Sequence, residues 1–388
     1  MLDLLEAHFE ESIDLNDPLL HWKQKSWGRF CELGWPQPKQ EAFQYIPLKH
    51  LEIPKAGVPG VAISGSDHPF RIVFVDGFFS EEQSRVGKGI VCLSLDQAMR
   101  PYGIFLQNRI ARTMKEETDP FAALNGAFQG KGIFLYVSPK VEAKLSIEQL
   151  FTKEQMASPR VMLYLGRGAK LEIQQRAGEA FFCNSHFDAV LDENAELIFR
   201  DAPSTTGTLF QSIRASLKRN SRFAAHLYSE GTSLARTSLR VQLLEENSEA
   251  LLQGLWRLDE SRQCHIHATI EHLAPHTRSR QHFKGILKGR SRSSFEGKIY
   301  VHPTAQKTEA YQLNNNLLLS DEAAAYSKPN LEIFADDVKA SHGATIAQLN
   351  AEDLFYLRSR GLSLSDAQQC LIDGFCRELI ECIPENKR

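Results

Sequence analysis

The stretch Val161-Met-Leu-Tyr-Leu-Gly-Arg-Gly-Ala-Lys-Leu-Glu-Ile173 holds an apolar run, a turn-former followed by a small residue (Gly168-Ala169), and a second alternating run. The same three-part phrase returns around Asn194-Ala195, Asn220-Ser221 and Asn247-Ser248. From Ala169 the small residue recurs after 26, 26 and 27 positions, at Ala195, Ser221 and Ser248. An equal period of this length with two short strands per repeat is the signature of a solenoid. A helical repeat would need two longer stretches with 3.6-residue periodicity, and those are absent. A β-sandwich also supplies alternating strands and turns, but it requires no equal period. The spacing therefore predicts a mainly β protein, a parallel β-helix over residues 126–347. Its rungs would stack at about 4.8 Å and bury a continuous apolar core.

On either side the pattern changes. Residues 1–125 read as a mixed, largely helical region. Leu2 to Phe9 and Pro18 to Glu32 are short amphipathic stretches, the second carrying Trp22, Trp27 and Phe30. A proline-rich break follows at Trp35-Pro36-Gln37-Pro38, and Arg71 to Asp76 is a short apolar strand with a turn at Gly77. Residues 348–388 read as helical. Asn350 is an expected N-cap with Glu352 and Asp353 in the first turn, and Gly361 closes that helix. Ser365 with Gln368 predicts a capping box for a second helix. Its apolar face would run through Leu371, Ile372, Phe375, Cys376, Leu379 and Ile380. Such helices can cap a solenoid or dock into a partner groove, and the pattern fits both.

Composition bounds the function. The 388 residues are 42% hydrophobic and 24% charged, with formal net charge −3, so no global basic signal points to nucleic acid. One stretch without acids, Pro275 to Phe295, carries Arg278, Arg280, Lys284, Lys288, Arg290 and Arg292; it reads as a solvated strand face or rim. No apolar run is long enough to span a membrane, and Met1 to Glu11 lacks the basic start of a signal peptide. Seven scattered cysteines with no C-x-x-C pair predict reduced thiols and a cytoplasmic location.

Catalytic signatures are missing. Gly126-Ala-Phe-Gln-Gly130-Lys131-Gly132 is one residue short of a phosphate loop and lacks its hydroxyl, and no nucleotide-binding, hydrolase or zinc-protease motif occurs. Two places could carry metal. Cys264, His265, His267, His272 and His276 form one cluster; on a strand His265 and His267 share a face while Cys264 points away. Two imidazoles at i, i+2 with a third ligand from a neighbouring strand could hold a borderline metal. The other is His342, in Lys339-Ala-Ser-His-Gly-Ala-Thr345, at the point where solenoid gives way to helices. A competing reading is a β-helix carbohydrate-active enzyme built on Asp336-Asp337 with Arg278 or Lys284. Adjacent strand residues face opposite ways, which keeps those two carboxylates from serving one site.

From Ser291 to Gly361 the sequence closely resembles the C-terminal half of the SufB/SufD family. The matching pieces are Phe295-Glu-Gly-Lys-Ile-Tyr-Val301, Ala305-Gln-Lys-Thr-Glu-Ala-Tyr-Gln312, Asn315-Asn-Leu-Leu-Leu-Ser320, Pro329-Asn-Leu-Glu-Ile-Phe-Ala-Asp-Asp-Val338, Ser341-His-Gly-Ala-Thr345 and Leu354-Phe-Tyr-Leu-Arg-Ser-Arg-Gly361. Upstream, Arg71-Ile-Val-Phe-Val-Asp-Gly77 is similar to a strand of the family's SufD branch, and the short N-terminal region also fits that branch.

The resemblance implies a right-handed parallel β-helix and a non-catalytic scaffold of the SUF iron–sulfur cluster assembly system. It implies pairing with a SufB-like subunit and binding of a SufC-like ATPase through the C-terminal helices, which accounts for the absent phosphate loop. It thereby favours Leu354, Phe355, Leu357, Leu371, Phe375 and Leu379 as partner-facing residues. No cofactor would be bound permanently; iron or a nascent cluster would visit the SufB–SufD interface, with His342 as this chain's candidate ligand. Many relatives carry a cysteine where Ala340 stands here, so thiolates would come from the partner. A free β-helix edge also makes a homodimer of the isolated chain an expectation.

Overall fold

The computed structural model describes residues 1–60, 68–203 and 206–384. The turn-formers of the repeat lie where the backbone is left-handed: Gly168, Asn194, Asn220 and Asn247 have φ of 67°, 58°, 56° and 57°. Glycine and asparagine are the residues that accept this conformation at least cost. The small residue that follows points into the core, so Ala169, Ala195, Ser221 and Ser248 are all buried. The Ser221 and Ser248 hydroxyls donate to the carbonyls of Lys218 and Glu245, at 2.7 Å each, and close the corner. Two further corners follow the same plan with unexpected residues. His276 and Lys307 take φ of 59° each, and the buried Thr277 and Thr308 donate to the Ala274 and Ala305 carbonyls.

The strands are β1 (Arg71–Val75), β2 (Phe78–Arg85), β3 (Ile90–Ser94), β4 (Ile133–Val137), β5 (Glu142–Leu150), β6 (Met156–Ala157) and β7 (Arg160–Leu165). They continue as β8 (Lys170–Ala177), β9 (Phe182–Leu191), β10 (Glu196–Asp201), β11 (Thr208–Leu217), β12 (Arg222–Ser229), β13 (Leu234–Leu243) and β14 (Glu249–Leu258). The last are β15 (Gln263–His272), β16 (Arg278–Leu287), β17 (Arg292–Val301), β18 (Thr308–Leu318), β19 (Ala324–Ile333) and β20 (Val338–Ala347). They form two sheets facing each other across the core. Sheet A runs β3-β4-β7-β9-β11-β13-β15-β17-β19, with β6 beside β9, and sheet B runs β2-β1-β5-β8-β10-β12-β14-β16-β18-β20. Pairing is parallel except where β2 meets β1 and β3 meets β4. This is a β-solenoid. It recruits β1, β2 and β3, which lie before residue 126, so the region expected to be largely helical contributes its first strands.

Four helices come from the N-terminal side: α1 (Leu2–Ser12), α2 (Leu20–Leu33), α3 (Leu95–Glu116) and α4 (Pro120–Phe128). Leu5, Phe9 and Phe30 of α1 and α2 pack with Phe121 and Leu124 of α4 over Phe182 and Phe210, on the outer face of sheet A. Arginines of sheet A hold the α3–α4 junction. The Arg214 guanidinium donates to both Glu117 carboxylate oxygens at 3.0 and 2.9 Å, and Arg236 pairs with Asp119, all four side chains being buried.

At the other end, α5 (Ala351–Ser359) and α6 (Leu364–Cys376) follow β20. Asn350 caps α5 by accepting from the Glu352 and Asp353 N–H groups, and Gly361 at φ 96° ends the turn after it. The cap of α6 is Ser363, not Ser365: its Oγ accepts from Asp366 N–H at 3.1 Å and donates to the Asp366 carboxylate at 2.7 Å. An acid three residues on completes the box two positions earlier than expected. A 3-10 segment, Arg377–Cys382, then lies on sheet B.

Candidate functional site at the open end of the solenoid

Both sheets stop without a cover at the C-terminal end: β19 and β20 are edge strands, and no residue of β20 is buried. Within β20, alternate residues face the interior. Ala340 packs beside Ala310 and Ala335, and His342 shares its face. His342 is therefore an inward-pointing residue of the final rung, exposed because no further rung lies beyond it among the described residues. Pro329 sits mid-strand in β19, a position that edge strands tolerate because one side of the ladder is unpaired.

Beneath His342 the interior changes chemistry. Leu252, Gln281, Gln312 and His342 occupy one register column on β14, β16, β18 and β20. Deeper rungs fill such columns with Leu197, Phe199 and Phe223, whereas this end buries Gln281, Gln312, Asn314 and Asn316. Gln312 Nε2 donates to Gln281 Oε1 at 2.8 Å, and Gln281 Nε2 donates to the Lys298 carbonyl of the opposite sheet at 3.4 Å. Asn314 Nδ2 donates to the Phe283 carbonyl and Asn316 Nδ2 to Asn314 Oδ1. Room for the Gln312 amide comes from Gly297 across the core, where a Cβ would collide with it. Sequence reasoning passed over these amides. Their signal is present as Gln312, Asn314 and Asn316 at i, i+2 and i+4, polar groups on the face that should be apolar.

The second metal candidate sits elsewhere. His265 and His267 do share the outer face of β15, and Cys264 does point into the core. His265 already uses both ring nitrogens, with Ser294 Oγ at 2.8 Å and Gln263 Oε1 at 3.1 Å. Burial and the Arg236 charge push its pKa down to about 3, and those of His267 to about 4 by the same causes. His267 Nε2 has Glu296 at 3.9 Å. His272 is enclosed inside the solenoid between Thr277 Oγ1 at 2.7 Å and Ser279 Oγ at 2.8 Å, and His276 forms a corner. Among the described residues, no three His, Cys, Asp or Glu side chains converge as a metal cage.

The expected partner-facing residues divide into two groups. Leu379 is buried with Ile372 and Cys376 against Tyr228, Leu255, Ile286 and Leu317 of sheet B, and Phe375 packs beside them. Leu371 is half-buried. That face of α6 is part of the chain's own core. By contrast α5 has no buried residue; Leu354 and Leu357 are half-covered, while Phe355 is 75% and Tyr356 61% exposed.

Of the residues of the carbohydrate-enzyme alternative, Asp337 and Arg278 line one groove, while Asp336 and Lys284 are not part of its lining. Asp336 and Asp337 lie in the β19–β20 loop, not on a strand, so the facing argument does not apply to them. Arg278 pairs with Glu249 and Glu309, and Lys284 is buried against the C-terminal segment. The rest of the basic stretch, Arg280, Lys288, Arg290 and Arg292, is solvated.

The chain is thus a β-solenoid with an amide-lined C-terminal end and an exposed helix, α5. Residues 149–375 match the family model described as SUF system FeS cluster assembly, SufBD core domain, and residues 67–149 match the SufBD protein N-terminal region. The chain belongs to this SufBD family of iron–sulfur cluster assembly proteins. It is 30% identical to an iron–sulfur cluster assembly SufBD family protein of Synechocystis, over 91% of this chain and 84% of that one. It is 29% identical to the iron–sulfur cluster assembly protein SufD of Escherichia coli, over 90% of this chain and 86% of the relative. A chloroplastic protein of Arabidopsis thaliana, ABCI7, is 28% identical over 100% of this chain and 87% of its own length.

Proposed function

We propose that the chain is a non-catalytic scaffold subunit of a SUF assembly complex, joined at its open end to a SufB-like chain and carrying a SufC-like ATPase on α5. The observation that carries this reading is the position of His342, inward-facing on an uncovered last rung above a buried amide column. A second solenoid stacked on β19 and β20 would enclose that imidazole at the junction. Iron or a nascent cluster is then cargo held between two chains. Ala340, on the same face, offers no sulfur, so the softer thiolate ligands come from the partner. The exposed aromatic pair Phe355 and Tyr356 supports ATPase docking, since aromatic anchors dominate such interfaces. In isolation the same open end supports pairing with a second copy. No described helix is long and apolar enough to cross a membrane, and the free thiols fit a reducing compartment such as the cytoplasm.

The test is co-expression with SufB-like and SufC-like chains from one source, followed by purification through a tag on this chain. Both should be retained, and a β20 edge variant such as Ala344→Pro should lose the SufB-like chain alone. Recovery of this chain free of both would overturn the reading.

A further inference from the structure

We infer that Gln312 is a positioning residue for His342, and that it fixes which ring nitrogen of His342 carries the proton; the inference rests on the proposed ligand role of His342 for its purpose but not for its geometry. A hydrogen-bond relay starts at the Lys298 backbone carbonyl, which can only accept. Gln281 must therefore turn its NH2 towards that carbonyl, as it does at 3.4 Å, and this leaves its Oε1 facing the column. Gln312 must in turn present its NH2 to Gln281 Oε1, at 2.8 Å. A flipped Gln312 would set two carbonyl oxygens against each other. Its own Oε1 is thereby left over, buried and without a partner.

The next residue of the column is His342, one strand further on at about 4.8 Å. Among the described residues its ring makes no hydrogen bond. The relay thus ends on an acceptor that needs a donor, beside an imidazole that can be one. The Gln312 amide has little freedom to adjust, because it is lodged in the space left by Gly297 with the Phe295 ring alongside.

A neutral imidazole has one N–H and one lone pair, and a hydrogen bond at one nitrogen decides which is which. With one ring N–H donated to Gln312 Oε1, the other nitrogen holds its lone pair ready for a metal. This is the outer-shell arrangement by which a ligating histidine is oriented before its metal arrives.

The experiment uses the full chain without iron, carrying 15N-labelled histidine, with the His342 signals assigned by their loss in His342→Ala. Long-range 15N–1H spectra at neutral pH should show one dominant His342 tautomer. Gln312→Met, of similar length but with no amide, should give the mixture of a solvated imidazole. Gln281→Met leaves Gln312 in place but removes the acceptor that sets its amide; it should shift the ratio the same way. This second variant also guards against a folding defect in the first. An identical tautomer ratio in wild type and both variants overturns the inference. A second arm measures iron retained by the SufB-like complex, where Gln312→Met should lose about 10–100-fold in affinity. If the tautomer moves while iron retention does not, the positioning stands and the ligand role of His342 fails.

Discussion

Lys284 reaches from sheet B to the C-terminal segment, where its Nζ donates to Glu378 Oε2 at 2.8 Å and to the Phe375 carbonyl at 2.9 Å. The ammonium also lies 4.8 Å from the centre of the Phe375 ring. The lysine is buried while Glu378 is exposed, so the pair fastens α6 and the 3-10 segment to the solenoid. Glu378→Ala would leave a buried ammonium with a single carbonyl. The expected cost is about 1–3 kcal/mol in a denaturant melt, with faster limited proteolysis between α5 and α6.

That attachment separates two roles in the C-terminal region. Deleting residues 350–388 would strip sheet B of its cover as well as remove α5, so point variants are the cleaner test. Phe355→Ala with Tyr356→Ala should leave the melting temperature unchanged and weaken ATPase binding by about 30-fold or more, since interface anchors of this type contribute about 2 kcal/mol or more. Full retention of the SufC-like chain by the double variant would remove α5 from the interface.

At the open end, His342→Ala should lower iron or cluster recovery by the assembled complex without dissolving it. Ala340→Cys puts a thiolate on the same inward face, two residues away, and should raise iron recovery. Unchanged cluster yield in both variants, read by absorbance and iron analysis, would end the ligand role.

Stability should depend on acid through His272. Burial lowers its pKa from 6.5 to about 3. Above 6.5 the group is neutral in folded and unfolded chain alike. Between about 6.5 and 3 only the unfolded chain takes the proton, so stability falls as pH falls through that window. From pH 7 to pH 5 the loss is about 2 kcal/mol for this one group. Because His265 and His267 are lowered in the same window, His272→Gln should shrink the difference between melts at those two pH values by its own share of about 2 kcal/mol, and an unaltered slope would assign the acid sensitivity elsewhere.

The fold was legible where the corners are made by residues that prefer the left-handed backbone. Asn194, Asn220 and Asn247 announce their rungs, but the next corners are His276 and Lys307, and the spacing from Ser248 to Thr277 to Thr308 stretches to 29 and 31. Those rungs carry no turn signal of their own and follow only from carrying the earlier spacing forward to the helix cap at Asn350. Helix α4 escaped notice for a different reason: every one of its residues is buried, so it has no polar face to give a 3.6 period. In α3 the pattern is broken by Pro101 and a kink at Tyr102. At the site, the resemblance pointed to Ala340 and His342 together, and strand alternation places them on one face. What lay beneath them was hidden, because Gln312 and Gln281 line up with His342 only through register between strands about thirty residues apart.

Pro329 gives the open end a handedness of choice. An added strand needs donors and acceptors at regular intervals, and β19 lacks an N–H at its centre, in register with Gly297, whereas β20 has none missing over Val338–Ala347. The two exposed margins are thus unequal: one is blunted against indiscriminate growth and the other is left continuous. Under the proposed pairing, a molecule not met by its SufB-like counterpart still carries an adhesive edge on the β20 side. Its supply must then be matched to that of the counterpart, and surplus copies are the ones expected to self-associate or be lost to aggregation.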